Sequence, residues 1–355
     1  MRCTKSDAVG TPSVARPRRF EFTALTVLMT LLVMYSHASS EAFTGYQKDS
    51  LLYLAVFVTK KLCGFAVPGF IFMSAAKYFL AYERGGGFDY PSFLLKRVSK
   101  VYFPYIFWVV AYFIYFTGRY YFPPTYGELA QYLALGTLVS HFYFVVVIMQ
   151  LYLLMPAWRC FARQKTATLA VVLVVSLAVM YISKTQLRGF EYADRIFTSF
   201  LFYWLLGVVC GTRYDAFLAF LKRRRALLLP AELLIIAAHI ALSYLSSRGL
   251  VRYPFAEAGQ IVYATALLML ALDLCAAIKP EKLPLRRLVE RISAASYYIY
   301  LCHNLTLFIV DEYTPGWGIS ARFALRLVVV FTVPVAGSIA YTALKKKFQG
   351  RLKRA

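Results

Sequence analysis

The segment Phe22–Ala38, FTALTVLMTLLVMYSHA, is apolar over most of its length and has a histidine, His37, next to its end. At 1.5 Å per residue such a helix approaches the roughly 30 Å hydrocarbon core of a bilayer. Basic residues precede it at Arg16, Arg18 and Arg19. A cleaved signal peptide is the alternative interpretation, but the apolar core is longer than the roughly 7–15 residues typical of such peptides. The segment therefore favours a first transmembrane helix that ends on an imidazole.

Similar apolar segments recur along the whole chain. Of the 355 residues, 60% are hydrophobic and 17% are aromatic, whereas soluble domains contain roughly 45–50% apolar residues. Pro68 and Gly69 interrupt the second segment, where we expect a kink or an unwound turn. The sequence predicts an all-α, polytopic membrane protein with about ten transmembrane helices and no soluble domain. The ten runs lie approximately at 22–38, 51–82, 100–118, 139–158, 167–183, 197–212, 226–246, 258–278, 293–311 and 322–344.

The distribution of basic residues predicts how these helices are oriented. Cytoplasmic loops of membrane proteins carry an excess of Lys and Arg. One set of alternate connections, taken with the two termini, holds about 28 basic residues, and the opposite set holds about eight. We therefore expect both termini to be cytoplasmic. Residues 1–21 and 345–355 would then be basic cytoplasmic segments on either side of a ten-helix domain formed by residues 22–344.

The charge and the cysteine content argue against several functions. The formal net charge is +23, but it falls in short clusters between apolar runs and not on a soluble face that nucleic acid could use. We therefore expect membrane lipid and anionic ligands as partners, and no nucleic acid. The six cysteines form no CxxC pair and lie mostly in apolar runs, so they indicate packing and predict neither a disulfide framework nor a metal site.

Three of the four histidines lie between the predicted middle and the outer edge of the membrane. His37 ends the first run, His141 stands near the outer end of the fourth, and His303 lies in the ninth beside Tyr300 and Asn304. Ionisable groups inside spans are costly and usually face a bundle interior or a wet cavity, where they act. Neutral imidazole can take a hydroxyl proton near pH 7. The alternative for His37 is an interfacial histidine bonded to a neighbouring carbonyl.

Other polar residues in the runs have simpler explanations. His239 is alone in IIAAHIALSY and is expected to be a core histidine satisfied by a neighbouring helix. At least one of Lys60 and Lys61 should extend outward or face a cavity, because both lie in the outer half of the second run. Asp311 and Glu312 close the ninth run. There a carboxylate can orient an imidazole or bind acceptor hydroxyls, and a solvated helix end is the alternative.

Six motifs occur in one order along nearly the whole chain. Together they resemble the acyltransferase-3 family of integral-membrane O-acyltransferases, which decorate bacterial surface glycans. They are His37 at the end of the first helix, VPGFIFMSA (Val67–Ala75), KRVSKVYFPY (Lys96–Tyr105), HFYFVVVIMQLYLLMP (His141–Pro156), YWLLGVVCG (Tyr203–Gly211) and SYYIYLCHN (Ser296–Asn304).

Two positions depart from the family pattern. Many members have an arginine eleven residues before the first-helix histidine, and this chain has Thr26 there. The family's Ser-Gly pair here reads Ser74-Ala75. Lys77 or Arg97 is a candidate to supply the missing cation.

The resemblance implies an acyltransferase of groups other than aminoacyl groups. It would move an acyl group, acetyl or similar, from cytoplasmic acyl-CoA to a hydroxyl of a cell-surface or lipid-linked glycan. Acyl-CoA, with acetyl-CoA as the expected form, would be a co-substrate, and no permanently bound cofactor is expected. The expected location is the bacterial plasma (inner) membrane, with enzymes of glycan biosynthesis as expected partners. The polar residues in the spans leave a transporter or exporter of a polysaccharide or lipid-linked glycan as the alternative.

The same resemblance, combined with the chemistry of the donor, suggests a set of site residues. Guanidinium and ammonium groups bind phosphate through charge-assisted hydrogen bonds, so cations at the inner mouth suit the phosphates of acyl-CoA. These cations also satisfy the positive-inside rule, which is the alternative explanation for each of them. The donor candidates are Arg97, Lys100, Lys96 and Lys77, with Ser74 lining a channel for the pantetheine arm. The catalytic candidates are His37 as general base and His303, Tyr300 or His141 as donors to the developing oxyanion.

Overall fold

The computed structural model describes residues 19–82, 88–119, 121 and 125–352. Most of the predicted segment 1–21 and the end of the predicted tail 345–355 lie outside these residues. Within them the chain forms helices and no strand, which confirms the all-α prediction. The helices are α1 (Phe20–Ala38), α2 (Ser40–Gly45), α3 (Leu51–Leu62), α4 (Ala66–Tyr82), α5 (Tyr90–Arg97), α6 (Phe103–Gly118), α7 (Tyr126–Leu135), α8 (Tyr143–Leu153), α9 (Met155–Ala162), α10 (Thr166–Gln186), α11 (Leu201–Thr212), α12 (Tyr214–Ser247), α13 (Ala256–Ala277), α14 (Arg286–Tyr313) and α15 (Ile319–Leu352).

Seven helical segments in the described part of the chain are long and apolar enough to cross a membrane. An eighth is added if α7 and α8, which meet at a bend of 52°, form one span. The shorter apolar helix α11 and the more polar helix α14 account for two further predicted runs. Each of the ten runs thus lies in helical structure, and the protein is a multi-pass membrane protein. The count of ten spans and the side of each terminus remain predictions.

The second predicted run is broken, as expected, and the break lies just before Pro68. Helix α3 ends at Leu62, and α4 begins at Ala66, so Pro68 falls in the first turn of α4, where its missing N–H has no intrahelical partner to lose. Gly69 permits a close approach to α1, because a Cβ at this position would lie 2.3 Å from Sδ of Met29.

The described chain forms two compact units. The first unit comprises Ile71–Phe107 and Thr125–Phe220. The second unit comprises the described residues of Arg19–Phe70, Trp108–Pro124 and Leu221–Ala355.

In the first unit, α11 packs closely against α4 through two glycines. A Cβ at Gly207 would lie 2.3 Å from the carbonyl oxygen of Phe72, and one at Gly211 would lie 2.7 Å from that of Ala76. Small residues four positions apart allow helix backbones to approach in a membrane, where packing replaces the hydrophobic effect. The motif YWLLGVVCG therefore has a packing role in this unit.

In the second unit, α1 packs against α13, α14 and α15, and α14 packs extensively against α15. The end of α1 that carries His37 lies in this core. Its fully or nearly fully buried apolar side chains are Met34, Ala38, Ala295, Ile299, Leu307 and Val330.

Candidate active site

The C-terminal turn of α1, which carries His37, is held by cations from two other helices of the second unit. The last carbonyls of a helix have no intrahelical partner. The Ser36 carbonyl accepts a hydrogen bond from Nζ of Lys60 (α3) at 2.8 Å. The His37 and Ala38 carbonyls each accept a hydrogen bond from the guanidinium of Arg326 (α15) at 3.0 Å. Positive charge is favourable at a helix C-terminus because it complements the helix dipole. Two cations thus fix the backbone on both sides of the His37 side chain.

Arg326 is itself buried, with only 5% of its surface exposed, and it is fully engaged. One terminal nitrogen lies 2.6 and 2.7 Å from the two carboxylate oxygens of Asp311 on α14 and 3.5 Å from Glu41 on α2. The other terminal nitrogen also donates to Oγ of Ser40 at 3.2 Å. A buried charge is tolerated when it is paired and hydrogen-bonded in this way. The Asp311 carboxylate therefore binds the guanidinium that holds the His37 backbone.

Glu312, the second carboxylate predicted at this end of α14, also has partners in the second unit. It accepts the hydroxyl of Tyr115 and lies 3.2 Å from Nε of Arg119. Arg119 in turn donates to the hydroxyl of Tyr313 at 3.1 Å. The hydrogen bond that Arg119 donates to Tyr313 and the charge of Glu312 raise the pKa of Arg119.

His303 lies opposite His37 and is fully buried in α14. The centroids of the two imidazole rings are 5.1 Å apart, and the rings are tilted by 60°. Nδ1 of His303 lies 2.7 Å from the carbonyl oxygen of Tyr300 and 3.2 Å from that of Ile299. A carbonyl can only accept, so Nδ1 carries the proton, and Nε2 is the basic nitrogen of the neutral ring. This tautomer suits acceptance of a hydrogen bond better than donation to an oxyanion, the role expected from the sequence.

The turn of α14 around His303 is hydrogen-bonded by a tyrosine of α6, within a helix that is continuous over Arg286–Tyr313. Leu305 donates its backbone N–H to the hydroxyl of Tyr112 at 2.7 Å, and this hydroxyl donates to the carbonyl of Leu301 at 3.2 Å. In a regular helix Leu305 would bond directly to Leu301. Tyr112 therefore helps to set the position of His303.

Tyr300, predicted as an oxyanion donor, is on the same face of the second unit. Its ring centroid lies 6.2 Å from that of His303, and it stacks on Tyr297 at 6.2 Å with 16° between the ring planes. The second unit therefore brings together His37, His303 and Tyr300, three of the four predicted catalytic residues.

The fourth, His141, lies in the first unit. It is buried in the 3₁₀ turn Ser140–Phe142, with its ring 4.4 Å from that of Phe142. Gln150, on the following helix α8, binds the backbone of Arg195 and Phe197 through both amide atoms, so it has a structural role.

All five predicted donor residues are in the first unit. Arg97 ends α5, and its guanidinium carbon lies 5.0 Å from the ring centroid of Phe93 and 4.8 Å from that of Tyr152. A cation–π contact of this kind helps to orient the planar guanidinium, whose N–H groups lie in its own plane and can still donate hydrogen bonds. The remaining four are Lys96 and Lys100, both exposed, Lys77, exposed on α4, and Ser74, half-buried on α4.

Arg159 of α9 belongs to the same aromatic cluster, which the sequence did not single out. Its guanidinium carbon lies 4.0 Å from the ring centroid of Phe88, and it donates to the hydroxyl of Tyr78 at 3.1 Å. The Tyr78 ring contacts Phe93 at 5.3 Å between centroids, and Phe93 stacks with Arg97. From sequence alone Arg159 contributed only to the topology count.

His239 is the core histidine that the sequence predicts. In the second unit its Nδ1 lies 3.1 Å from the hydroxyl of Tyr253, and its Nε2 lies 3.1 Å from Oε1 of Gln260 on α13. Its ring stacks on Tyr263 at 4.5 Å. Both ring nitrogens are therefore satisfied by neighbouring residues, which confirms the prediction.

Comparison with known proteins agrees with the class of protein that this fold and site define. Residues 22–343 match the acyltransferase domain of the acyltransferase-3 type. A protein of Bacillus subtilis (strain 168) named "Putative membrane-bound acyltransferase YfiQ" is 26% identical over 305 residues, which cover 82% of this chain and 81% of that protein. No solved structure matches the chain significantly. The chain is a multi-pass membrane enzyme, and it belongs to the acyltransferase-3 family.

Proposed function

We propose that this acyltransferase moves an acetyl or similar acyl group from cytoplasmic acyl-CoA to a hydroxyl of a cell-surface or lipid-linked glycan. The pairing of His37, at the end of α1, with His303 of α14 is the observation that carries the proposal. His37 and His303 are 5.1 Å apart, and the proton of His303 is committed to a backbone carbonyl. A neutral imidazole beside an oriented partner is an arrangement suited to general-base catalysis. Family membership favours this reaction over the exporter alternative.

In this mechanism His37 takes the proton of the acceptor hydroxyl as the oxygen attacks the thioester carbonyl. The tetrahedral intermediate collapses with cleavage of the C–S bond. The imidazolium of His37 then returns the proton to the leaving thiolate, so the products are the O-acyl ester and CoA. We assign His303 the orienting role on the strength of the ring contact, and in the reacting complex its buried Nε2 would accept a hydrogen bond from His37 and hold its tautomer. We assign the hydroxyl of Tyr300, whose ring centroid lies 6.2 Å from that of His303, as the donor to the oxyanion.

The donor would bind through cations of the first unit. Arg97, Lys96 and Lys100 lie close together in sequence at the end of α5 and in the π-helical turn that follows it. Their charges suit the phosphates of acyl-CoA. On α4, Lys77 would add a positive charge for the phosphates, and Ser74 would line the path of the pantetheine arm.

The proposed location is the bacterial plasma membrane, with both termini inside. The excess of basic residues predicts that the connections that carry the donor cations are cytoplasmic. The same orientation places His37 toward the outer side of the membrane. A glycan or glycolipid acceptor would reach the base from that side, where glycan-biosynthesis enzymes are the proposed partners.

The test uses purified protein in nanodiscs and membrane vesicles, with acetyl-CoA labelled in the acetyl group. We expect release of CoA thiol and transfer of label to an alkali-labile ester in the glycan or glycolipid fraction. His37→Gln keeps a hydrogen-bonding group but cannot carry the proton at neutral pH, so turnover should fall by about 10²–10⁴-fold. Near-wild-type turnover of this variant would show that His37 is not the base. Labelling of no glycan fraction, despite release of CoA thiol, would exclude the proposed acceptor.

A further inference from the structure

We propose that Arg326 is a positioning residue for His37, which it aligns with His303 by holding the last turn of α1. This inference rests on the proposed function, in which His37 is the base. It concerns a residue that lies inside an apolar helix and contacts the backbone of the base, away from its reacting atoms.

The hydrogen bonds of Arg326 connect the two helices that carry the imidazoles. Its guanidinium donates to the carbonyls of His37 and Ala38 on α1 and to Asp311 on α14, the helix of His303. The planar, rigid guanidinium presents its donors in fixed directions, so these bonds define an orientation as well as a distance. The relative placement of His37 and His303 is therefore coupled to this one side chain.

The cost of placing the group here favours a role beyond packing. An ionised side chain inside a membrane span is expensive, and buried ion pairs often stabilise a fold no more than apolar residues of similar size. Small displacements of a catalytic group, by contrast, have large effects on rate, and a shift of about 1 Å can cost about 10²-fold. Fixing the direction of the imidazole is the benefit that this geometry provides.

The chain offers a matched control one turn earlier on the same helix. Arg322 also pairs with Glu41, at 3.2 Å, and donates to the carbonyl of Trp317 at 3.2 Å. These two partners are on α2 and in the connection between α14 and α15. Replacing Arg322 therefore removes an arginine and a Glu41 contact while leaving the bonds from Arg326 to α1.

The experiment compares Arg326→Gln, Arg326→Lys, Arg322→Gln and His37→Gln in membrane vesicles with labelled acetyl-CoA, per amount of folded protein. Arg326→Gln should lower kcat about 10- to 100-fold with the KM for acetyl-CoA within about twofold of wild type. Arg326→Lys, which keeps the charge and a donor, should recover part of that loss, and Arg322→Gln should stay within about twofold of wild type. A merely structural role would lower the folded amount and leave kcat per folded molecule unchanged.

If Arg326→Gln does not fold, Asp311→Asn gives the same test, because it removes a carboxylate that holds Arg326. We expect a several-fold fall in kcat at unchanged KM. Unchanged kcat in the folded Arg326 or Asp311 variants, or an equal fall in Arg322→Gln, would overturn the positioning role. Retained activity of His37→Gln would instead overturn the proposed function, so the two failures are distinguishable.

Discussion

His37 and His303 face each other with their ring centroids 5.1 Å apart, one at the end of α1 and the other in the buried middle of α14. The partner of the proposed base is therefore a second imidazole, and the nearby carboxylate of Asp311 is taken by Arg326. Nδ1 of His303 is bonded to the Tyr300 carbonyl, so in the proposed mechanism the orienting role is assigned to Nε2. Substitution of the surrounding residues tests whether they hold the two imidazoles in this arrangement.

His303 should matter as a hydrogen-bond acceptor. His303→Gln retains an acceptor oxygen, whereas His303→Leu has none, so we expect kcat to fall about 10- to 100-fold in the leucine variant and less in the glutamine variant. Acetyl-CoA turnover in vesicles, measured per folded molecule, checks this order. Equal losses in the two variants would argue against the orienting role.

Tyr112→Phe should reduce activity more than stability. Without the hydroxyl, Leu305 can bond directly to Leu301, so the helix keeps its hydrogen bond and the melting temperature should fall by only a few degrees. Loss of the two bonds from Tyr112 should let this turn of α14, and His303 with it, shift, and kcat should fall about tenfold or more.

The control is Tyr105→Phe, another buried tyrosine whose hydroxyl donates to backbone, at 2.8 Å to Tyr132 and 3.1 Å to Leu133. It lies in the first unit, and its loss should lower the melting temperature without a comparable effect on kcat. Equal losses of kcat would show that the effect is general. Thermal unfolding in detergent and turnover in vesicles give the two readouts.

Lys60 and its neighbour Lys61 should respond differently to the same substitution. Lys60 donates to the Ser36 carbonyl at 2.8 Å, and a charge-assisted hydrogen bond contributes roughly 1.5–3 kcal/mol. Lys61 lies with its ammonium 5.6 Å from the ring centroid of Phe57. We expect Lys60→Met to lower kcat about tenfold or more and Lys61→Met to stay within about threefold of wild type. The reverse order would mean that the hydrogen bond from Lys60 to the end of α1 has no influence on His37.

Much of the fold could be predicted from the sequence because a bilayer restricts the options. Without water in the hydrocarbon core, backbone groups must bond within helices, so apolar runs of sufficient length predict helices directly. Pro68 and Gly69 indicated the break in the second run. A lone histidine in an apolar segment indicated the buried environment of His239. The count of ten spans stays a prediction, because it depends on the bent pair α7 and α8, the short α11 and the polar α14, none of which is by itself both long and apolar enough to count as a span.

The site was predictable only in part. Histidines in spans are rare and costly, which marks His37 and His303, but sequence gives no distance between helices and so could not pair them. Arg326 was missed, although an arginine inside the apolar tenth run carries the same signal that identified the histidines. Tyr112 and Arg159 gave no such signal, since tyrosines and arginines are common near membrane interfaces and their contacts arise only from packing.

Arg97→Ala combined with Lys100→Ala should raise the KM for acyl-CoA. Each charge-assisted bond lost is worth roughly 1.5–3 kcal/mol, so about tenfold or more is expected. Arg97→Lys should have an intermediate effect, because it keeps the charge but loses the planar group stacked on Phe93 and Tyr152. Arg286→Ala, which removes a partner of Glu290 on α14, is the control and should leave KM unchanged. Unchanged KM in the double variant would assign Arg97 and Lys100 to membrane topology alone.

The orientation of the chain can be tested by labelling single cysteines in a variant without native cysteines. Cys160 is exposed in the structure and must be among those replaced. We chose Glu191, Arg163 and Lys282 because their side chains are exposed. If both termini are inside, Glu191→Cys should react with an impermeant maleimide in intact cells, while Arg163→Cys and Lys282→Cys should react only after permeabilisation, because the basic connections stay cytoplasmic. The opposite pattern would put the donor cations outside, where cytoplasmic acyl-CoA could not reach them, and would exclude the proposed reaction.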